Sequence, residues 1–296
     1  MAISERQLET WSHQGSKTQS AYTYASIKSA LEDRSAPFAN RNFEVYLQGS
    51  YGNDTNVYAE GDVDIVICLT SSHYKDISIL PPNERAAYEA DINLVNYGFR
   101  YFQRQVLDWL IIKFGTSVRL KKKAIFVPGN SGRRDADVLV CVEYRKYISY
   151  RPRQIFYHSG ICFQTTDDRW IINFPKQHKA NCTAKHQAIS GRFKPNVRIF
   201  KNLRNAMVDK QILSKDTAPS YFIEGMLWNV PNVKFLLTYQ RTLFDCLFWL
   251  RRCDPSTLKC VNNIHPLIRD DMAECWNMKD FRHFLEIADL YRSFRT

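Results

Sequence analysis

The sequence predicts a bilobal α+β fold: a mixed sheet with helices over residues 1–176, then a mainly helical lobe over residues 177–296. Two observations predict it. In the first half, β-rich runs at 43–48, 62–69, 117–127 and 135–144 alternate with stretches of helical spacing. In the second half helical spacing takes over, with Pro152 and Pro175 marking the change.

Taken in order, Leu8, Trp11, Ala21, Tyr24, Ile27 and Leu31 suit one or two helices with an apolar stripe between Ile3 and Glu32. Residues 43–48 (FEVYLQ) and 62–69 (DVDIVICL) read as strands. Between them GSYGNDTNVYAEG, polar and rich in Gly and Asn, reads as a turn with a short helix or loop. Residues 84–113 carry helical spacing through Ala87, Leu94, Phe99, Phe102, Val106 and Leu110. Strand-like runs follow at 117–127 and 135–144, then shorter β-like pieces (RQIFYH, ICFQT, RWIINF) between 152 and 176. Helical patterns occupy 194–209, 219–230, 234–253 and 279–293, and the aromatic-rich YFIEGMLW and LFDCLFWL within them read as core.

A chain of 296 residues that is 45% hydrophobic and 24% charged buries a sizeable core, which excludes disorder and fibre. Its 41 Lys and Arg against 30 Asp and Glu leave a net charge of +11, favouring an anionic partner. No apolar run approaches the ~18 to 20 residues of a membrane span, and charges stand where a signal peptide would be apolar, so a cytoplasmic location is expected. Eight cysteines lack the paired spacings of a disulfide framework or zinc ribbon and read as reduced structural thiols.

The chemistry concentrates in Gly49-Ser50, followed after eleven residues by Asp62-Val63-Asp64 at the head of an apolar strand. Side chains alternate along a strand, so Asp62 and Asp64 point the same way. Two adjacent carboxylates repel, and such a pair recruits cations; oxygen-only ligands favour Mg²⁺ or Mn²⁺, which also bind substrate phosphates. A third carboxylate comes from Arg134-Asp135-Ala136-Asp137-Val138. Asp135 and Asp137 share parity; Asp137 is preferred because the uninterrupted apolar run starts just after it. Gly49 lets a phosphate approach the backbone, and the Ser50 hydroxyl adds a donor.

LQGSYGNDTNVYAEGDVDIVICL resembles the signature of the polymerase-β-type nucleotidyltransferases, specifically the branch with oligoadenylate synthetases, cyclic GMP-AMP synthase and bacterial CD-NTases. WIINFPKQHKANCTAKHQ, FKPNVRIFKNLRN and PSYFIEGMLWNVP are similar to the segments that follow, in the same order, in bacterial CD-NTases, so the resemblance covers nearly the whole chain. It implies a polymerase-β-like nucleotidyltransferase core and a helical lobe completing the nucleotide pocket. It further implies that Gly49 and Ser50 hold the donor triphosphate, and that Asp62, Asp64 and Asp137 coordinate two Mg²⁺ ions, with Mn²⁺ as substitute. Lys201 matches the helix lysine that reaches the triphosphate, Ser220 a triphosphate-binding serine, and Tyr221 an aromatic position on which a base stacks. Asn173 lies where a side chain could read a base edge or end a strand. The implied activity joins nucleoside triphosphates (NTPs) into a cyclic di- or oligonucleotide second messenger, in bacteria within CBASS anti-phage defence. The family includes regulation by partner proteins.

Two other readings stay open: a template-independent polymerase making linear oligonucleotides or extending RNA ends, and an inactive nucleotide- or RNA-binding module. His178, Cys182 and His186 stand four apart as they would for zinc on a helix, but no fourth ligand is near. The resemblance to cyclic GMP-AMP synthase does not extend to that enzyme's DNA-sensing zinc insertion, whose clustered cysteines are missing, so a polynucleotide activator is not indicated, although the +11 charge keeps nonspecific affinity open.

Overall fold

Branched side chains fit the pleated faces of a sheet, and the two runs richest in Val and Ile form its centre. The structure, a computed structural model, describes residues 3–15, 18–58, 61–91, 97–272 and 275–293. Strands β2 (Val63–Asp76) and β5 (Ala136–Arg151) pair in parallel, from Val63 opposite Ala136 to Leu69 opposite Val142. Ile65, Val66, Ile67 and Leu69 are fully buried, as expected of a strand covered on both faces. Strand β1 (Phe43–Leu47) runs antiparallel along β2, while β4 (Ile125–Val127) lies antiparallel beside the start of β5, with β3 (Arg119–Leu120) beyond it. Farther along, β5 pairs with β6 (Gln154–Gln164), and β6 with β7 (Trp170–Asn173). Among the described residues the sheet has seven strands.

The chain divides into two compact units. The sheet unit, Lys17–Gln48 with Gly61–Pro175, also holds α2 (Thr18–Leu31), α4 (Pro82–Asp91) and α5 (Phe99–Phe114). Ile27, Leu31, Phe102, Val106 and Leu110 form the buried stripes of α2 and α5. The helical unit, Met1–Ser16, Gly49–Glu60 and Lys176–Thr296, holds α1 (Glu5–Ser12), α3 (Gly49–Asn53), α7 (Phe193–Asp209), α8 (Ser220–Asn229), α9 (Tyr239–Leu250) and α10 (Met278–Ser293). It also holds all but the first residue of α6 (Pro175–Ala188). Its core joins Leu8, Phe193, Phe200, Leu203, Met226, Leu247, Trp276 and Phe284. No helix among the described residues is long and apolar enough to cross a membrane.

Several elements differ from the sequence reading. The run at 117–127 is a tight hairpin, β3 and β4, closed by a bond from Lys121 N to the Ala124 carbonyl at 2.8 Å. The helical stretch at 84–113 is two helices, and Leu94 lies outside the described residues. Helix α6 (Pro175–Ala188) shows no apolar period in the sequence, because KQHKANCTAKHQA has few apolar positions to set one. The segments Met1–Ser16 and Gly49–Glu60 group with the C-terminal helices. Long-range polar bonds hold them there: Gln14 Nε2 donates to Asn56 Oδ1 at 2.6 Å, and Arg198 donates to the Asp54 carbonyl at 2.7 Å.

Candidate active site

In the sheet unit, Asp64 is the second residue of β2 and Asp137 the second of β5, and the parallel register sets them directly opposite each other. Two backbone bonds pin this arrangement: Val63 N donates to the Asp135 carbonyl, and Gln48 N to the Asp64 carbonyl, each at 3.0 Å. Asp62 stands just before β2, exposed, while Asp64 and Asp137 are partly buried. Asp135 precedes β5, is exposed, and its Oδ1 accepts from Gly129 N at 2.6 Å, which commits it to a loop. Lys121, in the hairpin turn, places Nζ 3.1 Å from Asp137 Oδ1 and 3.9 Å from the centre of the Phe126 ring. Asp64 and Asp137, register neighbours at the head of two adjacent strands, and Asp62 just before β2 offer oxygen donors of the kind a hard divalent cation such as Mg²⁺ or Mn²⁺ takes.

Asn173 closes β7, and its Oδ1 accepts from Phe174 N at 2.8 Å. The registers place it opposite Ile161, itself opposite Glu143 of β5. At the rise of a strand that is roughly 20 Å along the sheet from Asp137, so Asn173 is not brought to the aspartates. Gly160 permits the close approach of this strand end; a Cβ there would meet the Asn173 carbonyl at 2.7 Å.

In the helical unit, Gly49 opens α3 with φ of 64°, a left-handed conformation that favours glycine. The Ser50 carbonyl accepts from Thr55 N at 2.9 Å. Thr55 connects this turn to a buried ionic cluster: its hydroxyl donates to Glu224 Oε1 at 2.5 Å, and Asn53 Nδ2 donates to Glu224 Oε2 at 3.2 Å. Lys201, expected at a triphosphate, is fully buried and lies 3.0 Å from Glu224 Oε1. It also donates to the Thr55 carbonyl and hydroxyl at 3.1 and 3.2 Å. Burial pushes the Glu224 carboxyl up, but the Lys201 charge and the His178 hydrogen bond outweigh it and hold the group well below its usual range.

Ser220 begins α8, and its Oγ accepts from Arg204 Nη1 at 3.4 Å. Tyr221 stacks on His178, ring centres 5.2 Å apart and planes at 29°, and its hydroxyl accepts from Asn262 at 3.2 Å. His178 in turn reaches Glu224 Oε2 from Nε2 at 2.6 Å. The structure therefore links Ser50, Lys201 and Tyr221 through Glu224. Of the zinc-spaced trio, His178 and Cys182 lie together with Glu224, whereas His186 Nδ1 accepts from Lys194 N at 3.3 Å. Glu224 Oε1 is matched by the buried Lys201 ammonium, and burial pushes the Cys182 thiol up, away from the thiolate a metal would take. Glu224, Thr55, Asn53 and Lys121 were missed in the sequence; a lone Glu in YFIEGMLW and a lone Lys in VRIFKNL are the signal that could have found the pair, since charges on apolar faces must be matched.

Comparison with known proteins gives this geometry a context. The cyclic UMP-AMP synthase of Rhodothermus marinus is 36% identical over 291 residues, covering 98% of this chain and 97% of the relative. The chain belongs to the cGAS/DncV-like nucleotidyltransferases. The family model for their C-terminal helical domain matches residues 180–292 of this nucleotidyltransferase. A cyclic nucleotide synthase of Staphylococcus haemolyticus is 32% identical over 96% of the chain and 97% of its own length. The solved structure of the R. marinus synthase with Apcpp and Upnpp matches with a TM-score of 0.88 at 35% identity, covering 99% of this chain and 98% of that one. That of an Elizabethkingia meningoseptica cyclic dinucleotide synthase, with GTP and Apcpp, gives 0.80 at 29% identity over 99% and 100%. The nucleotidyltransferase core and helical C-terminal domain predicted from sequence are thus confirmed.

Proposed function

We propose that this nucleotidyltransferase condenses two or more NTPs into a cyclic di- or oligonucleotide that serves in the cytoplasm as the signal of CBASS anti-phage defence. The observation that carries the chemistry is the placement of Asp64 and Asp137 as register neighbours on parallel strands. The names of the relatives, all cyclic nucleotide synthases, support the cyclic product.

In this reading Asp62, Asp64 and Asp137 would hold two divalent cations. When bound, these ions neutralise triphosphate charge and lower the pKa of an attacking ribose hydroxyl. Each condensation forms one oxygen–phosphorus bond at an α-phosphate, breaks the bond to the β-phosphate, and releases pyrophosphate and a proton; the last one closes the ring. The Gly49–Ser50 turn and Ser220 grip the triphosphate, and Tyr221 offers its ring to a base. Lys201 supports the turn through Thr55, and Asn173 completes a strand end. Incubation with all four NTPs should release pyrophosphate with Mg²⁺ and none after chelation by EDTA; release that persists in EDTA contradicts the reading.

Lys121 supplies a second check. Its ammonium competes with a cation for Asp137 Oδ1, and a partly exposed pair of this kind contributes about 0.2–1 kcal/mol. Lys121→Met should therefore tighten Mn²⁺ binding, followed by electron paramagnetic resonance, by about two- to fivefold, with little change in melting temperature.

A further inference from the structure

We infer that Glu224 is a positioning residue of the nucleotide pocket, one buried carboxylate that fixes both the Gly49–Ser50 turn and the Tyr221 ring. The inference rests on the proposed reading of that turn as the triphosphate grip and of Tyr221 as a base platform. Glu224 lies among Ile223, Met226 and Leu227, all fully buried, and is itself 3% exposed. A well-packed apolar side chain would serve stability there at least as well as a buried ion pair. What the carboxylate adds is direction.

Its two oxygens divide the work. Oε1 takes the Thr55 hydroxyl and the Lys201 ammonium, while Oε2 takes Asn53 Nδ2 and His178 Nε2. Asn53 is the last residue of α3, and Thr55 holds the Ser50 carbonyl through its own N–H, so this side of the cluster sets the path of the turn. On the other side the His178 ring, its orientation fixed by the bond to Oε2, supports one face of Tyr221. Lys201 closes the cluster by donating to the Thr55 carbonyl as well. The triphosphate and base contacts are therefore linked through Glu224 rather than built independently.

Two variants separate the two arms while leaving the Lys201–Glu224 pair in place. Thr55→Val removes the hydroxyl that ties the turn; His178→Gln keeps a donor for Glu224 but removes the ring under Tyr221. Binding of inorganic tripolyphosphate and of a nonhydrolysable NTP analogue is measured by calorimetry, together with melting temperature. Thr55→Val should weaken both ligands about tenfold and lower the melting temperature by only a few degrees, since Glu224 and Lys201 lose a buried hydroxyl partner but keep each other. His178→Gln, by contrast, should weaken the analogue about three- to tenfold and leave tripolyphosphate within twofold, with a melting temperature near wild type. Binding of both ligands within twofold of wild type in both variants would overturn the inference, as would losses that simply track melting temperature. Ser50→Ala separates the layers: if it leaves tripolyphosphate binding intact the grip reading itself fails, and if it weakens binding while Thr55→Val does not, only the role of Glu224 fails.

Discussion

Asp64→Asn should lower the rate of pyrophosphate release from NTPs by about 10³-fold or more, with the melting temperature unchanged or raised. A factor of 10³ corresponds to about 4 kcal/mol of barrier, within the several kcal/mol that charge stabilisation by bound cations contributes. Stability is not expected to suffer, because Asp64 and Asp137 are neighbours across β2 and β5 and removing one charge relieves repulsion. Asp137→Asn should show the same loss. Asp135→Asn should stay within severalfold of wild type, since that carboxylate is engaged with Gly129 N ahead of the strand. A pyrophosphate assay run beside thermal unfolding checks all three, and a large loss in Asp135→Asn with activity retained in Asp137→Asn would reverse the assignment.

Glu224→Ala should have the largest effect on stability. Breaking a buried pair leaves the fully buried Lys201 ammonium without its counter-charge, which costs about 3–5 kcal/mol and lowers the melting temperature by about 10 °C. Replacing both partners, Glu224→Leu with Lys201→Met, should recover most of that loss. The pH dependence follows from the direction of the Glu224 shift. Its folded pKa lies below the ordinary 4.5, so the stabilisation is complete above that value and is lost as pH falls below it, where the unfolded chain takes up a proton that the folded one does not. The fall in melting temperature of wild type below about pH 4.5 should be shallower in the double variant; equal slopes would remove Glu224 as the source.

Much of the sheet unit was legible because its chemistry is local. DVDIVICL and ADVLVCV announce apolar strands with an aspartate at the head, and the parallel pairing then places Asp64 beside Asp137. The hairpin that brings Lys121 to Asp137 was not legible, since RLKKKAIFV reads as one strand until its turn is seen. In the helical unit the apolar stripes of α7 and α8 were clear, but the charges riding on them were read separately. Lys201 was expected at a phosphate and Glu224 passed as part of a core helix. Their pairing joins positions on two helices with Thr55, which is 146 residues from Lys201 along the chain, and no local periodicity reports such a contact. The grouping of Gly49–Glu60 with the C-terminal helices depends on the same kind of long-range bond.

The claim that this chain makes a cyclic nucleotide is tested most directly by mass spectrometry of the products formed from all four NTPs with Mg²⁺. The expected product is a species with the mass of two or more nucleoside monophosphates less one water for each, resistant to phosphatase because no terminal phosphate remains. Linear products that keep a 5′-triphosphate and are shortened by phosphatase, or no product at all, would contradict it.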